Sequence, residues 1–246
     1  MRGYKTLLKT ELKLNIRDMN MLIFAIIMPI VITIILAIIN GSKPAFNGAS
    51  YTFFEQSFGA LCSISLCAGG LMGIPILISD YRQKKILKRF KVTPSSPLLF
   101  LGVQTTIYFI YALISAVTVY ITSLMFGFHF KGSVIGFIGG WLLVMLCMFS
   151  IGLMVGGLAK DANQASIIAS VLYFPMLIFS GATLPYEIMP KTMQKVCNIM
   201  PLTQGIKILK ATSLGLPIEN IIIPSIIIIS LAVLCICVCI RYFKWE

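Results

Sequence analysis

Residues 179–203 read FSGATLPYEIMPKTMQKVCNIMPLT. The stretch follows an uncharged apolar run and holds Pro185, Pro190 and Pro201. Each proline removes a backbone donor and clashes with the preceding turn, so one straight helix cannot contain all three. Between them Met189, Met193, Val196 and Met200 recur at helical spacing, with Lys191 and Lys195 interleaved. That pattern predicts a short amphipathic helix lying at a membrane surface rather than crossing it.

The rest of the chain agrees with a membrane setting. Of 246 residues 58% are hydrophobic and only 11% charged, against about 25% charged in soluble domains. The net charge of +12 reads as positive charge kept at one membrane face rather than as a nucleic-acid footprint. Six of the seven cysteines (Cys62, Cys67, Cys147, Cys235, Cys237, Cys239) sit in apolar runs and act as small hydrophobes. Cys197 has no cysteine partner in its loop, and the spacing of the others is not that of a metal site.

Working outward from the opening stretch, six apolar runs emerge: residues 21–39, 56–79, 98–128, 132–159, 162–184 and 221–240. Each is long enough to cross about 30 Å of hydrocarbon. Ahead of them, Lys5, Lys9, Lys13 and Arg17 form a basic stripe opposite Tyr4, Leu7, Leu8, Leu12 and Leu14. This predicts an interfacial helix over 1–19 on an anionic leaflet. Glu11, Asn15 and Asp18 intrude on its apolar arc, which leaves room for a protein contact there. A simply solvated N-terminus is the plainer reading. Glycines at 59, 69, 70, 73, 152, 156 and 157 suit close helix packing. His129 marks a turn at a membrane boundary, and Asn40-Gly41 marks another. Ile206, Lys207, Leu209 and Lys210 suggest a second short surface helix. The predicted architecture is all-α and polytopic, a single domain over 1–246 with a re-entrant segment at 185–213.

Between the second and third runs lies Asp80 to Lys91, DYRQKKILKRFK, with six of the twenty basic residues. Pro94 and Pro97 end it, and Ile86, Leu87 and Phe90 share one side of any helix there. Such a segment can dock on another protein, or it can be an ordinary positively charged inner loop. With both termini on the cytoplasmic side, fourteen of the twenty basic residues lie inside, as the positive-inside rule favours.

Phe179-Ser180-Gly181, then Pro185, Met189-Pro190 and Pro201-Leu202-Thr203, resemble the C-terminal motif of type-2 ABC exporter permeases. The likeness extends over nearly the whole chain: surface helix, six spans, basic loop after span two, broken segment after span five. It implies a dimer of six-span halves, pairing with a second copy or a related permease. Each half would be bound to a separate subunit that holds ATP and Mg. The loop at 80–97 would be the coupling element, assigning Asp80, Tyr81, Arg82, Lys88, Arg89, Phe90 and Pro94 to that role. Family members usually carry a glutamate near its start; here the nearest acid is Asp80. Spans two and five would line the pathway, through Phe58, Ser63, Ser65, Tyr173, Phe174 and Met176. Plain helix packing explains each of those six equally well. Phe179, Ser180, Gly181, Pro185, Met189, Pro190 and Pro201 would form an outer gate.

The chain itself carries no Gly-x-x-x-x-Gly-Lys-Ser/Thr loop, so it does not cradle ATP in the P-loop manner and is not itself expected to be an enzyme. No charged or histidine residue falls within the six apolar cores, which argues against a proton-coupled pump. The resulting expectation is the permease of an ATP-driven exporter in a bacterial plasma membrane, moving an amphipathic drug, antibiotic or peptide. Export of a lipid-linked glycan is the alternative within the family. An ATPase-independent channel or secondary transporter, or a membrane scaffold, are the readings from other classes.

Overall fold

The computed structural model describes residues 2–16, 23–40, 43–45, 51–91, 97–180, 190–217 and 219–242, the side chains of 2, 24, 25, 40, 89–91, 97, 98, 219 and 220 excepted. Gly181, Pro185, Met189 and Pro94 lie outside the described residues, as do Arg17, Asp18, Gly41, Ser42 and the side chains of Arg89 and Phe90.

Helix α1, Arg2–Asn15, precedes the membrane helices. Helix α2 begins with a π-helical turn, Ile23–Ile27, that runs directly into Met28–Asn40. Among the described residues five helices are long and apolar enough to cross a membrane by length and composition. They contain α3 (Phe53–Gln83), α5 (Pro97–Met125), α6 (Val134–Leu158), α7 (Ala162–Phe179) and α10 (Glu219–Tyr242). The shorter apolar helix of α2 is the remaining one. With its π turn it covers 23–40, about 27 Å at 1.5 Å per residue, close to the hydrocarbon thickness. Three short helices complete the set among the described residues: α4 (Ile86–Lys91), α8 (Lys191–Ile199) and α9 (Pro201–Leu214). Among the described residues the extended structure is an isolated bridge between Pro44 and Thr52.

Helix α3 is the axis of the molecule. In its most apolar window 78% of residues are buried, against 22% for α7 and for α10. Its start is fixed by a capping box, Thr52 Oγ1 accepting from the Glu55 amide while Glu55 Oε2 accepts from the Thr52 amide. Midway a π-helical stretch, Ala68–Gly73, precedes Pro75. The π turn in α2 stands in the same way just ahead of Pro29. A proline ring collides with the carbonyl four residues back. In both helices that carbonyl, of Leu71 and of Ala25, lies in a π turn, where the register is already widened.

Close packing is set by missing side chains. A Cβ at Gly152 would stand 1.8 Å from the Gly70 carbonyl oxygen, and one at Gly156 would stand 2.9 Å from Pro75 Cα. Helix α6 therefore lies directly on the backbone of α3.

One sequence expectation is overturned. The segment containing Ile206, Lys207, Leu209 and Lys210 is not a surface helix. Helix α9 is a buried element, with Leu202, Gly205, Ile206, Ile208, Leu209 and Ala211 inside. It packs against α3, α6 and α10. A Cβ on Gly59 would meet Leu209 at 2.7 Å, and one on Gly205 would meet Val144 at the same distance. The buried apolar side chains outweigh two lysines, because Lys207 and Lys210 project from one side while the remaining turns face the core.

Candidate docking segment and membrane pathway

Helix α3 does not stop where its apolar run ends but continues through Asp80, Tyr81 and Arg82 to Gln83. Lys84 and Lys85 then break it, Lys85 in the left-handed region at φ 56°, a conformation more usual for glycine at a helix end. The break turns the chain into α4. Leu87 is fully buried and holds α4 to the bundle, while Lys84, Lys85 and Lys88 are exposed. Asp80 pairs with Lys84 at 2.7 Å, one helical turn on.

Tyr81 and Arg82 face the other way. The Tyr81 hydroxyl donates to Glu11 Oε2 at 3.1 Å, and Gln104 Nε2 donates to the same oxygen at 2.7 Å. The Tyr81 ring stacks on Phe100, centroids 4.8 Å apart. Glu11 and Gln104 are buried, so α1 is joined to the end of α3 and the start of α5 through one carboxylate. Around it Tyr4, Leu7, Leu8 and Leu12 pack on Val103, Ile107 and Tyr111. The face of α1 carrying Glu11 and Asn15 meets protein, and Lys5, Lys9 and Lys13 stay exposed.

Arg82 is 6% exposed. Its guanidinium donates to the carbonyl oxygens of Gly157 (3.0 Å), Gly156 (2.7 Å) and Ala159, at the C-terminal end of α6. A signal for this lay in the sequence. Leu71, Ile74, Ile78 and Arg82 continue one buried stripe at helical spacing, but the surrounding lysines masked it. The coupling set thus divides: Lys88 looks outward, Asp80 is half-exposed, and Tyr81 and Arg82 are built into the fold.

The six pathway candidates lie on α3 and α7 and differ in exposure. Phe58, Ser63, Ser65, Tyr173 and Met176 are buried, and Phe174 is exposed, 5.3 Å from Tyr173 between ring centroids. Ser63 Oγ donates to the Ala60 carbonyl at 2.7 Å, the usual outlet for a serine inside an apolar helix. Phe58 belongs to an aromatic cluster, stacked on Phe128 (4.3 Å) and on Phe137 (5.4 Å). Beside it a laterally open cleft of about 460 Å³ runs between α3, α5 and α6. Phe58, Cys62, Phe109, Tyr120, Phe137 and Trp141 are among its walls. Sequence reasoning missed this cleft because its walls come from three runs that periodicity cannot align.

Of the outer set, Phe179 closes α7 and Ser180 is buried just beyond it. Pro190 is exposed ahead of α8, and Pro201 is buried at the start of α9. The Met193 and Val196 side of α8 is exposed while Cys197 is buried. Gln204 Nε2 donates to the Asn198 carbonyl, and Lys207 Nζ donates to Asn198 Oδ1 at 2.6 Å. Helices α8 and α9 are thereby bound as a hairpin. At the end of the bundle opposite α1, Lys131 pairs with Glu55 at 2.9 Å and the amides of Lys131 and Gly132 donate to the Ser213 carbonyl.

These features define a polytopic, all-helical membrane protein. The profile of the ABC-2 type transporter family matches residues 2–214, and the chain belongs to that family. It is similar to Nodulation protein J of Rhizobium leguminosarum bv. viciae, 32% identical over 76 residues, 31% of this chain and 29% of that protein. It is similar also to Nodulation protein J of Neorhizobium galegae, 28% identical over 79 residues, 32% of this chain and 30% of that protein. The Inner membrane transport permease YhhJ of Escherichia coli (strain K12) is 28% identical over 85 residues, 35% of this chain and 23% of that protein. The matched stretches span less than a third of each relative's length.

Proposed function

We propose that this chain is the transmembrane subunit of an ATP-driven exporter in a bacterial plasma membrane, with both termini in the cytoplasm. The family match over residues 2–214 carries the reading. The similarity to an inner membrane transport permease supports the location, and the distribution of basic residues supports the orientation. ATP and Mg are bound by a separate subunit, which docks on the outward side of residues 84–91. Exposed Lys84 and Lys85 at the break, and Lys88 on the short helix anchored by Leu87, favour that contact. A second permease packs on α7, where Ile167, Val171, Phe174 and Ile178 are exposed at helical spacing. The cargo is amphipathic, a drug, antibiotic or peptide. The apolar walls of the cleft beside Phe58 suit the greasy part of such a molecule. The segment around Gly181, Pro185 and Met189, with the α8–α9 hairpin, closes the exit.

The test is co-purification with the ATPase subunit. Lys88→Glu together with Arg89→Glu is expected to strip the ATPase from the tagged permease while insertion and yield stay at parent level. Unchanged co-purification and unchanged cargo-stimulated hydrolysis would sink the docking assignment.

A further inference from the structure

We infer that Arg82 is a positioning residue that ties the docking segment to the turn between α6 and α7, so that movement at the segment passes sideways into span five. The inference rests on the docking reading above and concerns where the movement goes.

The last carbonyls of any helix lack intrahelical partners. At the end of α6 those of Gly156 and Gly157, with that of Ala159 just beyond, converge on one guanidinium. A planar fork of five donors can serve several such acceptors at once, and its charge complements the negative end of the helix dipole. Ser79, one turn earlier on α3, donates to the Gly156 carbonyl at 3.4 Å and accepts from Arg82 Nη2 at 3.4 Å. The next residue grips the other side of the turn: Gln83 Oε1 accepts from the Ala162 amide at 3.2 Å, the first amide of α7. Residues 79–83 therefore hold the end of one span and the beginning of the next.

The turn has no slack of its own. Only residues 159–161 separate α6 from α7, Asp161 caps α7 through the Gln164 amide, and Gln164 Oε1 accepts from the Lys160 amide. Above it Gly152 and Gly156 fix α6 on the α3 backbone. A displacement of α4 transmitted through Lys84 and Lys85 thus reaches α7 within one residue of the break in α3. Helix α7 carries Tyr173, Phe174 and Met176.

The complex of permease and ATPase, in proteoliposomes, provides the test. In a background with all seven native cysteines replaced, an environment-sensitive fluorophore is placed either at Lys84→Cys or at Asn163→Cys, both exposed positions. The probe ligand is a non-hydrolysable ATP analogue with Mg. Both labels are expected to respond when residue 82 is arginine. Arg82→Met should leave the response at 84 and reduce the response at 163 at least several-fold, the Gln83 contact to the Ala162 amide remaining as a weaker second link. Arg82→Gln keeps one amide donor group and a milder change should it be needed for assembly; it should give an intermediate response at 163. A silent label at 84 with arginine in place overturns the docking reading. A responsive 84 with a silent 163 overturns the inference alone, as does a response at 163 that is unaltered in every variant that assembles.

Discussion

Single residues in this protein are chosen for what they leave out as much as for what they supply. Gly152 faces the Gly70 carbonyl at a distance that no Cβ can occupy. Gly139, on the same helix, has open space around it. Gly152→Val should therefore lower stability by about 1–3 kcal/mol or more, the usual range for overpacking. Gly139→Ala should be neutral or gain about 0.5–1 kcal/mol from reduced backbone freedom. Thermal unfolding in detergent, followed by size-exclusion fluorescence, separates the two; equal midpoints would contradict the close approach of α6 and α3. Lys85 is the reverse case, a side chain held at positive φ. Lys85→Gly relieves about 1 kcal/mol of backbone cost and should raise the same midpoint slightly, whereas Lys85→Val should lower it.

At the scale of elements, α8 and α9 show how one composition serves two environments. Both carry two lysines among apolar residues. Helix α8 is amphipathic and largely exposed, while α9 is enclosed by three other helices. The boundary between them is sharp enough to measure. Lys195→Cys should react with a maleimide promptly, and native Cys197, two residues on and buried, should resist until detergent and denaturant open the hairpin. Rapid modification of Cys197 in the intact protein would mean that α8 does not rest on α9. The end of α9 is fixed by Gly215 at φ 71°, where a glycine terminates a helix without a Cβ penalty.

For the whole molecule, orientation and pairing are the quantities to settle. With the termini inside, a cysteine at Lys195 should be labelled by an impermeant reagent added to intact cells, and one at Gln83 only after permeabilisation. The opposite pattern would invert the topology. Pairing through α7 predicts that Phe174→Cys cross-links to its counterpart in a second copy with a short bifunctional maleimide. Val171→Arg should abolish that product, because a guanidinium on an apolar helix–helix face has no partner. Absence of cross-linking at 167, 171, 174 and 178 alike would place the partner on another span.

Run lengths, prolines and basic clusters were enough to specify helices, spans and the amphipathic α8, because these depend on local backbone chemistry and on the solvent each face meets. The motif from Phe179 to Thr203 pointed to the family in the same local way. What a single helix faces is another matter. Asp80, Tyr81, Arg82 and Lys88 sit within nine positions of one basic run, yet two of them turn inward. Their destinations are a carboxylate on α1 and the end of α6, each more than sixty residues away. The burial of α9 likewise depends on Gly59 and Gly140 lying where α9 needs room, and on Gly205 lying where Val144 does. Local sequence sets which conformations a segment can adopt; only the meeting of distant segments decided which charges were solvated and which were enclosed.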